Sequence, residues 1–182
     1  KRIDEIFDEL VEIRRDLHKN PELSQNEYRT QEKIREYLDM WGIENYPCAD
    51  TGVVGIIKGR GRGKTLGIRG DIDALPLQEK NNVPYRSLTP GVMHACGHDA
   101  HATILLGTGR ILKELSDSNN SIKGNIKLFF QPAEETIGGA KRMIDEGFME
   151  EPRVDFVLGL HVQPYLRAGR VELKYGKLNA ST

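Results

Sequence analysis

Cysteine is scarce in this 182-residue chain, which contains only Cys48 and Cys96. Two cysteines cannot build a disulfide framework or a structural zinc site that relies on paired cysteines. No apolar run approaches the ~20 residues of a membrane-spanning helix. The N-terminus carries no hydrophobic segment of the signal-peptide kind. An excess of charge of one sign is also missing. Lysine and arginine number 26 against 27 aspartates and glutamates, for a formal net charge of −1. Without a basic stripe, neither nucleic acid nor an anionic membrane surface is indicated as a partner. The one basic run, Lys58 to Lys64 (KGRGRGK), lacks the P-loop pattern and reads as a mobile hairpin tip rather than a phosphate cradle.

What is present is ordinary for a folded domain: 38% hydrophobic and 29% charged residues, with no repeat or low-complexity segment. Ile3, Ile6, Phe7, Leu10, Val11, Ile13 and Leu17 recur at helical spacing and predict a helix that stops before Pro21, with His18 on its surface. Ser24 and Glu27 form a capping-box pattern opening a second helix through Ile34, Leu38 and Trp41, closed by Gly42. Residues 53–57 and 65–68 read as strands joined by the glycine-rich tip. Residues 73–91, with Pro76, Pro84 and Pro90, read as a long loop of the kind that usually carries function. A helix is predicted just after Cys96, a buried strand at 124–130, a short helix between Gly138-Gly139 and Gly147, and strands at 154–162 and 169–175. This alternation predicts an α/β fold with a mixed, mostly parallel sheet flanked by helices on both faces. Polar residues at strand ends then lie where such sheets build their sites.

Four segments carry candidate chemistry. In Gly91-Val-Met-His94-Ala-Cys96-Gly-His98-Asp99-Ala-His101, three of five histidines and one cysteine crowd into eight residues. Thiolate and imidazole are preferred ligands of zinc and similar metals, and that setting favours a metal thiolate in a reducing compartment over a disulfide. Glu134 and Glu135 close a hydrophobic strand, and adjacent carboxylates on extended backbone point different ways, one free for metal and one for substrate. His161 closes the strand Val157-Leu158-Gly159-Leu160. Asp71 and Asp73 end another strand, where either could bind a metal or orient a ligand. Together these groups suit two adjacent divalent ions sharing a water.

The runs RGDIDALP (69–76), MHACGHDAHATILLG (93–107), FFQPAEE (129–135) and GLHV (159–162) resemble the amidohydrolase branch of the aminoacylase/carboxypeptidase metallopeptidase family, which includes N-acyl-amino-acid, hippurate and auxin-conjugate hydrolases. The resemblance implies Cys96, His98, Glu135 and His161 as metal ligands, with Cys96 bridging. It implies Glu134 as the general base and Asp73 as the acid that supports a ligand from behind. It also implies two divalent ions, zinc first with manganese, cobalt or nickel as alternatives, and a small N-acyl amino acid or peptide as substrate. Residues 1–182 would then be the N-terminal portion of a zinc-peptidase-like catalytic domain. A lid or dimerisation domain, through which a homodimer forms, and a returning C-terminal segment would lie outside the chain. The expected setting is cytoplasmic. Cys96 is expected to react with alkylating agents in metal-free protein and to be protected by metal. Two rival readings stand beside this one: a cysteine hydrolase using Cys96 with a nearby histidine, and a catalytically silent metal-binding or assembly domain.

Overall fold

Helix α1 (Arg2–Lys19) follows its apolar spacing, with Ile6, Leu10, Ile13 and Leu17 forming the buried stripe, and it ends ahead of Pro21. The computed structural model in which this is seen describes residues 2–119, 122–136 and 138–173. Helix α2 (Tyr28–Met40) differs from the capping-box expectation. Its first amides, those of Arg29 and Thr30, donate to the Glu22 carboxylate at 3.1 and 2.8 Å. Ser24 donates instead to Asp73 at 2.6 Å, and Glu27 turns inward and is fully buried. Both side chains are claimed by partners on other elements, which a local pattern cannot register. The helix stops at Trp41, and Gly42 takes the left-handed φ of +66° that such an ending favours.

Among the described residues five strands form one mixed sheet in the order β1 (Glu44–Cys48), β2 (Gly52–Lys58), β4 (Asn125–Gln131), β3 (Thr65–Asp71), β5 (Phe156–Gly159). The pairings β1–β2 and β2–β4 are antiparallel, while β3–β4 and β3–β5 are parallel. β2 and β3 are therefore not a hairpin, because β4 lies between them. The glycine-rich tip instead runs against the entry to β4, where Gly59 N–H donates to Gly124 O at 2.8 Å and Arg60 N–H to Ile122 O at 2.7 Å. β1 was not predicted. Its sequence is polar and contains Pro47, which only an edge strand tolerates.

Side chains alternate across the sheet and bury both faces. Val53, Ile57, Ile126, Leu128 and Phe130 pack against α1, α2 and α3 (His98–Asn119). Val54, Ile56 and Phe129 pack on the other face with Met143 of α4 (Gly139–Asp145), Phe148 and Val154. Each fully buried Ile or Leu here contributes about 1.5–3 kcal/mol. β5 departs from expectation: it is four residues long, Phe156, Val157 and Leu158 are exposed, and among the described residues it pairs with β3 alone. Residues 169–173 form no strand, and 174–175 lie outside the described residues.

This topology sets the site. β3 and β4 run parallel and end level, with Asp71 opposite Gln131. β5 ends alongside them two residues before His161. The C-terminal ends of three parallel strands thus face the N-terminus of α3, the position at which open α/β sheets bind ligands.

Candidate metal centre

Gly97 determines how the first two groups point. Its φ is +89°, and a Cβ on it would lie 2.4 Å from Val162 Cγ2. Only glycine lets the chain turn here between Cys96 and His98 while the segment after β5 packs against it. His98 then opens α3 and is fully buried. Its Nδ1 donates to Asp73 Oδ1 at 3.1 Å, which leaves Nε2 to face the strand ends.

Around His98 Nε2 stand Glu135 Oε1 at 3.6 Å and Glu134 Oε2 at 3.8 Å. Cys96 Sγ lies 3.4 Å from His161 Nε2, and His161 Nδ1 is turned away, donating to Val162 O at 2.6 Å. Cys96, His98 and His161 offer donor atoms all within 4.8 Å of one another, and so do His98, Glu134 and Glu135. The fold therefore gathers Cys96, His98, Glu134, Glu135 and His161 from three separate segments, with Asp73 behind His98. The two glutamates differ in exposure: the side chain of Glu134 is 38% exposed and that of Glu135 22%.

The groups fit a cation. His98 Nε2 and Glu135 Oε1 are both buried without a hydrogen-bond partner among the described residues, an arrangement that costs free energy unless something bridges them. Burial pushes the Cys96 thiol up to about 12, and Glu135, Asp71 and Glu134 add to that. Burial opposes a charge on His98, but Asp73, Asp71 and Glu135 outweigh it and raise its pKa above the ordinary imidazole value. The carboxylates push both shifts the same way, adding to burial at Cys96 and overcoming it at His98, and a divalent cation would offset that negative charge. Burial first and the carboxylates second favour a proton on the Cys96 sulfur, which argues against the alkylation expected of metal-free protein.

Asp71, His98 and His101 also offer atoms within 4.8 Å of one another. His101, however, uses both nitrogens. Nδ1 donates to Asp71 Oδ1 at 2.6 Å, and Nε2 accepts the Val162 N–H at 2.9 Å. It thus pins the segment carrying His161 to the end of β3. Burial works against charge on Asp71, but His101, His98 and Arg69 outweigh it and hold its carboxyl down at about 2.

His18 is not the surface residue expected. It is buried, donating to Asp99 Oδ2 at 2.7 Å and Glu79 Oε1 at 3.2 Å, with Arg14 also 2.8 Å from Asp99. Beside it lies buried His94, neither of whose nitrogens has a hydrogen-bond partner among the described residues; burial pushes its pKa down to about 4. This network ties the end of α1 and the 79–87 loop to the residue following His98. The sequence offered no signal for it, since Asp99 and Glu79 are common residues in unremarkable contexts.

The profile of peptidase family M20/M25/M40 matches residues 67–178. The N-acetyl-L-cysteine deacetylase of Bacillus subtilis is 46% identical over 174 residues, covering 95% of this chain and 41% of the relative. The hippurate hydrolase of Campylobacter jejuni is 42% identical over 184 residues, covering 99% and 47%. Among solved structures, the Bacillus subtilis YXEP protein, described as a dinuclear metal-binding peptidase, superposes with a TM-score of 0.89 at 40% identity, covering 95% of this chain and 48% of that one. The chain thus spans less than half the length of the relatives it matches.

Proposed function

The chain belongs to peptidase family M20/M25/M40, and from that premise we propose that it carries the metal-binding part of a hydrolase of amide bonds in N-acyl amino acids or short peptides. The observation that carries this reading is the buried, unpartnered His98 Nε2 facing Glu134 and Glu135, with the Cys96–His161 pair beside it. The deacetylase and hippurate hydrolase named above support the substrate class.

Cys96, His98, Glu135 and His161 would hold two divalent ions. The mixture of sulfur, nitrogen and oxygen donors suits zinc best, with manganese, cobalt or nickel as alternatives. When bound, such ions polarise the scissile carbonyl and acidify water. Asp73 fixes the tautomer and direction of His98 by accepting the Nδ1–H hydrogen bond. Glu134, the more exposed carboxylate, takes the proton from the attacking water at one oxygen and returns it to the departing amine nitrogen. The Arg69 guanidinium, 4.0 Å from Glu134, keeps a positive charge near that carboxylate. The cysteine-hydrolase rival is disfavoured: Cys96 has a histidine beside it, but three carboxylates press its thiol towards the protonated form. A cytoplasmic homodimer remains part of the proposal.

The test is an activity screen of the whole protein against N-acyl amino acids, with metal measured on the same sample. Turnover should vanish with chelator and return with zinc. Glu134→Gln should retain metal and lose roughly 10²-fold or more in turnover, whereas Glu135→Gln should lose metal. Full activity after metal stripping would overturn the reading in favour of the cysteine hydrolase. Stoichiometric metal with no turnover would favour the silent domain.

A further inference from the structure

Glu134 sits in a turn whose backbone is held from both sides. Ala133, just before it, adopts φ +49°, a left-handed conformation that an L side chain enters only at a cost. The N–H of Ala133 donates to Glu27 Oε1 at 2.8 Å, and the N–H of Glu135 donates to Asp73 Oδ2 at 3.0 Å. The other oxygen of Glu27 accepts from Thr51 Oγ1 at 2.6 Å. Glu27 is 0% exposed. It stands at the N-cap of α2 and yet makes no side-chain bond to that helix, whose first amides Glu22 satisfies. A carboxylate buried this deeply is costly to place, and capping does not account for it. Burial raises its pKa, while the bonds from Thr51 and Ala133 favour its charged form.

We propose that Glu27 is a positioning residue for the Glu134–Glu135 pair: its carboxylate holds Ala133 in the left-handed conformation, and that turn aims the two glutamates at His98. The proposal rests on the hydrolase reading above for its kinetic consequence, but not for its consequence on metal binding. Without Glu27, Ala133 relaxes towards the right-handed region. The peptide planes on either side of Glu134 then rotate, and both carboxylates leave their places. Glycine at 133 would reach the left-handed region without help, so the need for Glu27 should shrink in that background.

The experiment compares four versions of the whole protein: wild type, Glu27→Ala, Ala133→Gly and the double variant. In the Ala133 background, Glu27→Ala should lower kcat by about tenfold or more, the scale expected of a small misplacement, with KM changed less than about threefold. Zinc affinity, read by competition with a chromophoric chelator, should fall about tenfold. In the Ala133→Gly background both losses should shrink to within about threefold. Glu27→Gln, whose carbonyl can still accept the Ala133 N–H, should retain most of both properties. Equal losses in the two backgrounds would mean that Glu27 acts on general stability, and would overturn the proposal; so would the absence of any loss. Should Glu27→Ala not fold, Glu27→Asp replaces it, because it keeps the charge and withdraws the carboxylate by one methylene. If the wild type hydrolyses no acyl amino acid, the hydrolase reading fails, and the zinc affinities still decide the role of Glu27.

Discussion

The carboxylate of Asp73 reaches the backbone amide of Glu135, 62 residues further along the chain, at 3.0 Å. Its other oxygen accepts from His98 Nδ1 at 3.1 Å, and Ser24 donates at 2.6 Å to the same oxygen as Glu135 does. Burial works against charge on Asp73, yet these three bonds hold its carboxyl below the ordinary range. One side chain thereby sets the orientation of two candidate ligands on different elements. Asp73→Ala is expected to weaken zinc binding about 10- to 100-fold, the usual cost of removing such a support. Chelator competition on the purified variant measures it, and an unchanged affinity would contradict the role.

Cys96 should be inert in metal-free protein. With its pKa pushed up to about 12, the thiolate fraction at neutral pH is on the order of 10⁻⁵. Iodoacetamide should therefore modify it at least about 100-fold more slowly than a free cysteine peptide at pH 7, and zinc should keep it blocked. Peptide mapping separates it from Cys48, which burial also raises to about 12. A metal-free Cys96 that reacts at the free-peptide rate would show that burial and the surrounding carboxylates do not control it.

Gly97 and Gly61 both have positive φ, +89° and +69°, but only Gly97 has a neighbour where a Cβ would go. Gly61→Ala should cost about 1–2 kcal/mol from backbone strain alone and leave zinc affinity intact. Gly97→Ala should cost more and also weaken zinc binding, because the Val162 segment that carries His161 must move. Denaturant midpoints and zinc titrations on both variants give the comparison. Equal effects at the two positions would argue against Gly97 as the point that joins the segments.

The hydrogen bond to Asp99 raises the pKa of His18 above the ordinary imidazole value; burial opposes this, and Glu79 assists. The folded state then holds the His18 proton more tightly than the unfolded chain does. Its stabilisation is fully present below about pH 6.5 and is lost as pH rises through the raised folded value. The stability advantage of wild type over His18→Gln should accordingly be largest in mild acid and shrink towards alkaline pH. Urea midpoints measured from pH 5.5 to 9 test this, and a difference that grows with pH would reverse the sign and contradict the pairing.

Much of the scaffold was legible because it depends on local periodicity. The stripe of α1 and the continuous buried run of β4 were both readable from local sequence. The reading failed where neighbours decide. Ser24 and Glu27 match a capping box residue for residue, yet Asp73 and Ala133 are better partners for them. His18 has the setting of a surface residue at a helix end, and only the fold brings Asp99 and Glu79 to it.

The sequence alone determined which residue types are available to bind a metal and the order in which they occur: Cys96 and His98 flanking a glycine, a Glu134–Glu135 pair closing one apolar strand, and His161 after another. These are properties of composition and spacing, and they survive any arrangement of the chain. Tertiary structure decided which of them meet. Parallel pairing of β3 with both β4 and β5 sets Asp71 opposite Gln131 and Arg69 opposite Gly159, so Asp73, Glu135 and His161, each a few residues past its strand's last pair, arrive together above the start of α3. It also left His101 committed to Asp71 and Val162 while His98 Nε2 has no hydrogen-bond partner among the described residues. Hydrogen-bond partners 30 to 106 residues apart in the chain settled these matters, and strand register is the physical link that brings such distant groups within 3 Å.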